Sequence, residues 1–449
     1  MTLQRQIFNN LKSALSDKKI LIIAGPRYVG KHFLMNQLIN YLKTERQVPE
    51  NRIFVFRFDD ILTQIDFKDD LEAFTAEIET TLGEKLANTP EPVYLFFEEV
   101  QHYLAIFNLL AGFTQLHPTR IKIILTSSID LEGHKSFQKL LASQSQLFRL
   151  YPLGLNELVG NNIAPSNDES VLHAILEGRF DLEFFEDIHW IFEPYKDAIL
   201  NNIKDYALFG GLPAIFQHQD YQLRWQEIKK CIRQYFEREL RIIYQIADLQ
   251  KFNNIIKIFA ANNGKILNLL NLCDYYHFNR NTIRKYTGIM HDTFVIDFVN
   301  PYQEEKISKP IMRTPKVYFL NTGLVNYFTE MTQYDELEKS EYFSYCLESM
   351  LYLNLKNTME AYQYKFNISF LRDYQEHELD FLISTPDQLI PIGITFNHEA
   401  RKMKVKTFRY YLRYCKEISN GVVFGNFDRI ERLEMRGSRL FLLPLWMLW

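Results

Sequence analysis

Residues 20–34 read Ile20-Leu21-Ile22-Ile23-Ala24-Gly25-Pro26-Arg27-Tyr28-Val29-Gly30-Lys31-His32-Phe33-Leu34, and this stretch decides the fold of the amino-terminal region. Its first four residues are apolar and three of them are isoleucine, which predicts a fully buried β-strand. A loop with a glycine at each end follows. Apolar residues then recur at helical spacing over residues 33–42, so the order of elements is strand, glycine loop and helix.

This order of elements is what a phosphate-binding loop needs. The backbone N–H groups of such a loop turn inward, the next helix adds positive potential at its N-terminus, and a lysine reaches the outer phosphates. Gly25, Gly30 and Lys31 match the pattern G-x-x-x-x-G-K, although His32 stands where a serine or threonine would give Mg²⁺ a hydroxyl. We predict that the nucleotide is bound by Gly25, Pro26, Arg27, Tyr28, Val29, Gly30, Lys31, His32 and Phe33. The alternative, a glycine turn that binds nothing, stays open.

Residues 1–160 continue as alternating strands and helices, which predicts a parallel sheet with helices on both faces. Two later runs, 93–97 and 121–125, read as buried strands and are followed by carboxylates and by hydroxyls, respectively. Because ligands of such sheets bind at the carboxyl ends of the strands, we expect these groups to face the glycine loop. We assign the activation of water to Glu99 and the metal position to Glu98. Thr126 and Ser127 are the predicted nucleotide-sensing hydroxyls, and a solvated turn beginning at Glu98 is the simpler alternative.

The overall composition narrows the class of protein. With 449 residues, the chain is long enough for about two to four domains. The net charge of −4 gives no global basic field that would attract nucleic acid or an acidic membrane. The four cysteines form no C-x-x-C pair, the amino-terminus lacks a signal-peptide core, and there is no apolar run of about 18 residues. We therefore expect a cytoplasmic protein without a membrane span.

Several motifs, in their order along the chain, resemble the AAA-superfamily ATPases of bacteria and archaea, in the subgroup with a conserved C-terminal half of unknown function. The motifs are Gly25-Pro26-Arg27 with Val29-Gly30-Lys31, Leu95-Phe96-Phe97-Glu98-Glu99-Val100-Gln101, Tyr151-Pro152-Leu153 with Glu157, Gly210-Gly211-Leu212-Pro213, Lys316-Val317-Tyr318-Phe319-Leu320-Asn321-Thr322-Gly323-Leu324, and Glu378-Leu379-Asp380-Phe381. The resemblance covers nearly the whole chain. It implies ATP as the ligand and ATP hydrolysis as the activity, and it leaves open whether the protein forms an oligomer.

The chain departs from this family pattern at the metal position. His32 replaces threonine, Glu98 replaces aspartate, and Ser143-Gln144 replaces Gly-Arg. Magnesium prefers oxygen ligands in octahedral geometry, for which imidazole is a poor substitute. We predict that protonated His32 donates to Glu98 and fills the space of Mg²⁺, so that ATP binds with little dependence on Mg²⁺ and is hydrolysed slowly or not at all. In the alternative, waters hold the metal and a reduced activity survives.

The middle of the chain is predicted to be mostly helical. Residues 161–225 read as a connector, with a flexible joint at 161–170, and a helical subdomain, whereas residues 226–335 read as a winged-helix-like domain. A predicted helix at 282–291 precedes a polar hairpin at 300–313. The basic residues that would contact DNA phosphates are Arg280, Arg284, Lys285, Lys306 and Lys309. A contact with a protein, or a solvated basic face, is the alternative.

Residues 336–449 read as α/β again, and the resemblance implies a PD-(D/E)XK nuclease core, a restriction-endonuclease-like domain. Such a core needs carboxylates around a divalent ion and a lysine near the attacking water. Glu348 and Asp380 match this pattern, whereas Gly393 and Thr395 stand in place of its Glu-x-Lys. We predict that nuclease activity is lost. The vestigial site would comprise Glu348, Glu378, Asp380, Gly393 and Thr395, and a plain packing domain is the alternative.

Two classes of function follow from the sequence. The first is an ATP-binding AAA-type ATPase whose nucleotide state moves a C-terminal half that binds double-stranded DNA or a protein. The second is a non-enzymatic regulatory or interaction protein that retains degenerate ATPase and nuclease scaffolds. Burial of Lys31 by side chains, with no room for a triphosphate, would favour the second class.

Overall fold

The computed structural model describes residues 4–89, 91–117, 121–162, 170–303 and 313–449 of the chain. Lys306, Lys309 and most of the predicted joint at 161–170 lie outside these ranges. The β-strands are β1 (Ile20–Ala24), β2 (Ile53–Arg57), β3 (Val93–Glu98), β4 (Ile121–Ser127), β5 (Ser145–Arg149), β6 (Ile296–Pro301), β7 (Lys316–Phe319), β8 (Asn367–Arg372), β9 (Glu378–Ser384), β10 (Leu389–Thr395), β11 (Asn420–Gly425), β12 (Glu431–Met435) and β13 (Ser438–Pro444).

The α-helices of the described residues are α1 (Phe8–Ala14), α2 (Lys31–Thr44), α3 (Ile61–Asp66), α4 (Leu71–Leu82), α5 (Ile106–Leu116), α6 (Lys135–Leu140), α7 (Leu155–Asn162), α8 (Val171–Leu176), α9 (Leu182–Phe192), α10 (Lys196–Phe209), α11 (Tyr221–Gln234), α12 (Leu249–Ala261), α13 (Leu269–Tyr276), α14 (Arg280–Asp292), α15 (Thr322–Phe328), α16 (Tyr334–Lys339), α17 (Tyr342–Ala361) and α18 (His398–Tyr411). A π-helix, Tyr235–Ile243, lies between α11 and α12. Among these helices, none combines the length and the apolar character that a bilayer span requires.

The amino-terminal strands form the predicted parallel sheet. The strand order is β2-β3-β4-β1-β5, and every neighbouring pair is parallel. Within β1, Leu21 and Ile23 share a core with α1 and α2, whereas Ile20 and Ile22 share the other core with α4 and α5. Because successive side chains of a strand point to opposite faces, both faces of the sheet are covered. The α/β fold of a P-loop nucleotide-binding protein is therefore confirmed for this region.

The loop after β1 depends on two glycines. A Cβ at Gly25 would lie 2.1 Å from the carbonyl oxygen of Leu150, so only glycine fits where the loop passes the end of β5. Gly30 has a φ of 95°, a left-handed conformation that glycine adopts readily. Tyr28 has a φ of 66° and takes the same region at a cost in backbone strain. The loop is therefore folded tightly against the end of β5 before α2 begins.

The middle of the chain is helical, as the sequence predicts. Helix α10 packs on α15, where Asn326 Nδ2 donates to the carbonyl oxygens of Ala207 and Leu208 at 2.8 Å each. Helices α13 and α14 follow each other across a short turn, and Asn279 caps α14 by accepting from the N–H of Asn281 at 2.8 Å. The winged-helix assignment of this region stays a prediction.

The later strands form a second, mixed sheet with the order β12-β13-β11-β10-β9-β8-β6-β7. The hairpin of β6 and β7 comes from the middle region, yet β6 pairs in parallel with β8 through Asn300 and Pro301. This pairing satisfies backbone N–H and C=O groups that an edge strand would leave free. One sheet thus extends across residue 335, the end of the predicted winged-helix-like domain. The restriction-endonuclease-like assignment stays a prediction.

Candidate functional site

A cleft of about 520 Å³ opens at the glycine loop. The loop forms one wall, and Pro213, Gln234 and Arg238 contribute to the opposite wall. In the part of the chain that the structure describes, the backbone N–H groups of residues 27–33 donate to no backbone carbonyl. The start of any helix leaves such groups unpaired, and here the loop adds more of them. The cleft therefore has a cluster of N–H donors that suits an anion.

The side chain of Lys31 lines this cleft but is only 5% exposed. Its Nζ donates to the carbonyl oxygens of Gly25 at 2.9 Å and Pro26 at 3.0 Å, and to Ser128 Oγ at 2.8 Å. The same Nζ lies 3.4 Å from Glu99 Oε1. The three protons of the ammonium group are thus used inside the protein. Lys31 is buried by its neighbours, but the cleft beside it has the volume of a small-molecule site.

Glu99 follows β3 in a left-handed conformation, with a φ of 55°. Its Oε2 accepts from Ser128 Oγ at 2.6 Å and from Gln101 Nε2 at 2.7 Å. Burial opposes ionisation of this carboxyl group, but the charges of Lys31 and Arg27 outweigh burial and lower the pKa of Glu99 to about 2. A carboxylate with so low a pKa is a poor acceptor for the proton of a water molecule. In this arrangement, Glu99 is the charge partner of Lys31.

The hydroxyl groups at the end of β4 have different contacts. Thr126 Oγ1 accepts from the N–H of Glu99 at 3.0 Å and so holds the backbone at the end of β3. Ser127 Oγ donates to the carbonyl oxygen two residues further along at 2.8 Å, inside its own turn. Ser128, which the sequence did not single out, is the residue whose hydroxyl contacts both Lys31 and Glu99. Side chains two residues apart on a strand point to the same face, so the alternation predicts that Ser128 lies on the same side as Thr126.

His32 and Glu98 meet at the mouth of the cleft, and two further residues join them. His32 Nδ1 lies 2.7 Å from Glu98 Oε2, and Asn36 Nδ2 lies 2.9 Å from His32 Nε2. Arg57 Nη2 lies 2.9 Å from His32 Nδ1 and 3.0 Å from Nε2. A proton on Nδ1 lets the ring donate to Glu98. No pattern in the sequence indicated Arg57, which lies at the end of the edge strand β2.

These contacts do not fit a bound Mg²⁺. Glu98 offers carboxylate oxygens, but its neighbours are an imidazole and a guanidinium group, and neither supplies an oxygen ligand. A divalent cation at Glu98 would also face the positive charge of Arg57, whose Nε lies 3.8 Å from Glu98 Oε2. The residues at the metal position therefore suit an arrangement without a metal.

Arg27 links the glycine loop to the opposite wall of the cleft. It forms an ion pair with Glu239 of the π-helix, and its Nη2 lies 3.1 Å from His102 Nε2. Glu239 is 1% exposed, and burial raises the pKa of its carboxyl group against the attraction of Arg27. Burial and then the charge of Arg27 lower the pKa of His102, so a neutral ring accepts from the guanidinium group.

The nine predicted nucleotide-binding residues lie together in the glycine loop and the first turn of α2. Residues 27–33 line the cleft, whereas Gly25 and Pro26 give their carbonyl oxygens to the lysine. Val29 is fully buried, and Phe33 is 39% exposed on the first turn of α2. Burial raises the pKa of the half-buried Tyr28 to about 12, so its hydroxyl stays protonated.

A second cluster of charged groups borders a cavity of about 890 Å³ in the carboxyl-terminal half. Carboxyl oxygens of Glu348, Glu378 and Asp380 all lie within 4.8 Å of one another. Lys316 Nζ lies between two of them, 3.1 Å from Glu348 Oε2 and 2.5 Å from Glu378 Oε1, and Tyr318 OH donates to Glu348 Oε2 at 3.0 Å. The motif Lys316-x-Tyr318 thus meets the predicted vestigial site in space. The sequence motif marks Lys316 and Tyr318 as notable, but it does not predict that they contact Glu348 and Glu378.

Each carboxylate of this cluster has a cation as its partner. Lys404 of α18 forms an ion pair with Asp380, and Arg372 Nη1 donates to Glu378 Oε2 at 3.0 Å. Burial disfavours the ammonium group of Lys316, but the facing carboxylate of Glu348 raises the pKa of this lysine well above its usual value. The carboxylates are thus neutralised by the protein itself.

Gly393 and Thr395 lie beside this cluster on β10. A Cβ at Gly393 would lie 3.1 Å from Asp380 Oδ2, and Thr395 lines the cavity. Neither residue offers the carboxylate or the amine of the Glu-x-Lys pattern. Because the three remaining carboxylates already pair with cations, the cluster does not fit a divalent metal ion.

Three of the five residues predicted to contact DNA lie on the first half of α14, and Lys306 and Lys309 lie outside the described residues. Arg280, Arg284 and Lys285 are all exposed. On the preceding helix α13, Tyr275 is 79% exposed and Tyr276 is 42% exposed. This pair of helices therefore presents both basic and aromatic side chains to solvent.

Three segments of the chain match known family models. Residues 17–159 match the family described as AAA domain. The glycine loop, the two carboxylates at the end of β3 and the hydroxyl groups at the end of β4 lie within this segment. Residues 200–335 match Domain of unknown function (DUF8612), and residues 345–448 match Domain of unknown function (DUF4143). None of the curated proteins compared with the chain matches it.

Several solved structures are distantly similar to the chain. PCH-2 of C. elegans is 14% identical over 37% of this chain, with a TM-score of 0.23, and the chain spans 48% of its length. ORC1 of Aeropyrum pernix in complex with DNA is 11% identical, covers 72% of this chain and 91% of its own, and has a TM-score of 0.28. AMPPCP-bound DnaA from Aquifex aeolicus is 12% identical, with 63% and 85% covered and a TM-score of 0.25. TM-scores this low do not indicate a shared overall arrangement. It is through residues 17–159 that the protein is similar to AAA domains, with the α/β fold of P-loop nucleotide-binding proteins.

Proposed function

We propose that the protein binds ATP in the cleft at the glycine loop and hydrolyses it slowly. The observation that carries this proposal is the meeting, at one cleft, of the unpaired N–H groups of residues 27–33 with Lys31 and Glu99. Loop N–H groups and a helix N-terminus favour phosphate oxygens, and a lysine adds the charge that a triphosphate needs. The match of residues 17–159 to AAA domains supports ATP as the nucleotide.

Lys31 has to change partners when a triphosphate binds. In the structure, its ammonium group is shared by Glu99, Ser128 and two carbonyl oxygens of the loop. Phosphate oxygens carry more negative charge than one carboxylate, so we expect the ammonium group to turn toward them. Glu99 then loses its main charge partner, and its pKa rises toward the usual value. Glu99 is thereby a usable base only in the nucleotide-bound state.

We further propose that nucleotide binding needs little Mg²⁺. His32 and Arg57 surround Glu98, and the guanidinium group supplies positive charge where a metal would otherwise do so. Positioned charge carries most of the catalysis of phosphoryl transfer, so hydrolysis without the metal is expected to be slow. The competing arrangement, a metal held through waters, would be recognised by an affinity that rises strongly when Mg²⁺ is added.

Two contacts support a coupling of the nucleotide site to the end of α14. Asp130, in the segment after β4, donates its N–H to the carbonyl oxygen of Asp292 at 2.7 Å. The hydroxyl oxygen of Tyr235 lies 3.0 Å from Thr293 Oγ1. Tyr235 belongs to the π-helix, whose Glu239 pairs with Arg27. The first contact starts two residues after Ser128, whose hydroxyl contacts Lys31 and Glu99, and the second starts from the π-helix, whose Arg238 lines the cleft. They end at the last residue of α14 and at the residue after it. A change of partners in the cleft is therefore expected to shift this helix.

The exposed face of α13 and α14 favours double-stranded DNA as the partner of the second half. Basic residues near the start of the second helix of such a pair are suited to phosphate contacts. Binding of a short duplex should weaken as the salt concentration rises. Arg284→Gln should make the plot of log affinity against log salt concentration less steep. Lys365→Gln, an exposed lysine elsewhere, serves as the control. A duplex that does not bind at low salt would leave a protein as the partner.

Turnover of ATP separates the two classes of function. Wild-type protein, Lys31→Ala and Lys43→Ala are compared, because Lys43 is an exposed lysine near the other end of the same helix. The ATPase class predicts slow phosphate release that Lys31→Ala abolishes and Lys43→Ala leaves unchanged. A non-enzymatic regulatory protein would release no phosphate above background in any of the three. The observation that favours the non-enzymatic class is the burial of Lys31 by its own neighbours.

A further inference from the structure

A buried arginine comes to the cleft from residues that precede the AAA-like segment. Arg5 lies before α1, outside residues 17–159. Its side chain is 4% exposed, and it lines the cleft together with the glycine loop. Burial of a guanidinium group costs free energy unless its N–H groups find acceptors. The acceptors of Arg5 therefore indicate what the residue does.

Three different parts of the chain supply these acceptors. Arg5 Nη1 donates to the carbonyl oxygen of Val29 at 2.7 Å, in the glycine loop. Nη2 donates to the carbonyl oxygen of Tyr151 at 2.8 Å, just after β5, and Nε donates to Glu157 Oε1 of α7 at 2.9 Å. The same carboxylate oxygen accepts from the N–H of Gln6 at 2.9 Å, which fixes the backbone beside the arginine. Arg5 thus joins the loop to the segment after β5 and to α7.

The bond to Val29 fixes one peptide group of the loop. A trans peptide is planar, so when the carbonyl group of Val29 points to Arg5, the N–H of Gly30 points the opposite way. Within the described residues, this N–H donates to no backbone carbonyl. Glycine has the widest range of backbone conformations of all residues, and Gly30 has a φ of 95°. The loop therefore depends on an outside contact to hold this peptide group in one orientation.

An arginine is suited to this task and a lysine is not. The guanidinium group is a planar fork whose N–H groups reach acceptors in different directions at the same time. A lysine at this position would keep the charge for Glu157, but its single nitrogen cannot occupy the three separate places from which Nε, Nη1 and Nη2 of Arg5 donate. Arg5→Lys therefore separates the charge of the residue from its geometry.

We infer that Arg5 is a positioning residue of the nucleotide site: its guanidinium group holds the peptide between Val29 and Gly30 so that the Gly30 N–H is presented to a phosphate. This inference rests on the proposed binding of ATP. It extends the site to the residues before the AAA-like segment, and it gives Arg5 an action through the loop rather than a contact with the nucleotide.

The test compares Arg5→Lys with Arg46→Lys, an exposed arginine just beyond the far end of α2. Affinity for a fluorescent ATP analogue is measured at a temperature at which thermal scans find every variant folded. Hydrogen–deuterium exchange is measured in the absence of nucleotide on peptides that cover residues 25–33 and α5. Arg5→Gln, whose amide still reaches one carbonyl oxygen, is the second variant if the lysine variant does not fold.

We expect Arg5→Lys to bind the analogue about tenfold more weakly, the effect of one lost charge-assisted hydrogen bond, and Arg46→Lys to bind as the wild type does. Exchange should increase in residues 25–33 and stay unchanged in α5, whereas a general loss of stability would increase both. Equal affinity of a folded Arg5 variant, or unchanged exchange of the loop, overturns the inference. If wild-type protein binds no analogue, the proposed function fails, and the exchange of the loop still decides whether Arg5 positions it.

Discussion

His32 Nδ1 lies 2.7 Å from Glu98 Oε2, where the end of β3 and the start of α2 face each other. At such a position a hydroxyl group and a carboxylate ordinarily hold a magnesium ion between them. Here the two side chains bond to each other, and Arg57 adds a positive charge beside them. In the proposed ATP site, this direct contact takes the place of a metal bridge.

His32→Thr should make nucleotide binding depend on Mg²⁺, because it removes the imidazole and supplies a hydroxyl oxygen. Calorimetric affinities for ATP are compared in Mg²⁺ and in EDTA. The wild type should change less than about twofold and the variant about tenfold or more. Asn40→Thr, on an exposed position of the same helix, should behave as the wild type. If His32→Thr gains nothing from Mg²⁺, His32 is not the residue that excludes the metal.

Glu99 should make the stability of the fold depend on pH under acidic conditions. Against the effect of burial, Lys31 and Arg27 lower the pKa of Glu99 from 4.5 to about 2. A carboxyl group whose pKa is lowered by folding contributes its full stability at pH values above its pKa in the unfolded chain. This contribution is lost as the pH falls through its pKa in the folded protein. This lowering of the pKa corresponds to roughly 3 kcal/mol of folding stability near neutral pH.

Urea unfolding across this pH range measures the contribution of Glu99. Glu99→Gln should be less stable than the wild type near neutral pH, and the difference should disappear between pH 4.5 and about 2. Glu77→Gln, an exposed glutamate on α4, should follow the wild-type curve throughout. A constant difference between Glu99→Gln and the wild type at every pH would show that the charge of this carboxylate contributes nothing.

Ser128 should transmit the nucleotide state to α14, because its hydroxyl contacts Lys31 and Glu99 and its chain continues to Asp130. We expect an ATP analogue to change hydrogen–deuterium exchange over residues 280–293 in the wild type. Ser128→Ala should weaken this response, whereas Ser127→Ala, whose hydroxyl bonds within its own turn, should preserve it. Equal responses in the two variants would refute this route.

Lys316→Met should destabilise the carboxyl-terminal half, because it leaves Glu348 and Glu378 buried without their shared cation. Removal of one partner from a buried ion pair costs about 3–5 kcal/mol. Denaturant unfolding measures the loss, and Lys339→Met, at an exposed lysine of α16, should cost far less. A Lys316 variant as stable as this control would mean that the cluster does not need its internal cation.

The sequence predicts those parts of the site that are local in the chain. Gly25, Gly30 and Lys31 lie within one short stretch, and their strand–loop–helix order follows from apolar spacing alone. The parallel sheet follows likewise, because buried strands alternate with helices. Glu98 and Glu99 close an apolar strand, so their place at its carboxyl end is a consequence of the strand itself.

The partners of these residues come from distant segments, and periodicity carries no information about them. Arg57 sits on an edge strand, Arg5 lies before the first helix, and Glu239 belongs to a π-helix that no helical spacing predicts. The pairing of Lys316 with Glu348 depends on a sheet that joins the middle region to the carboxyl-terminal region. Such contacts are decided by how elements meet, and only the folded chain brings them together.

Calorimetric titration with ATP in the presence of EDTA tests the central claim most directly. The account predicts saturable binding to one site per chain below millimolar ATP, with Lys31→Ala at least about tenfold weaker and Lys43→Ala equal to the wild type. Absence of binding at millimolar ATP, or equal binding by Lys31→Ala, would contradict it.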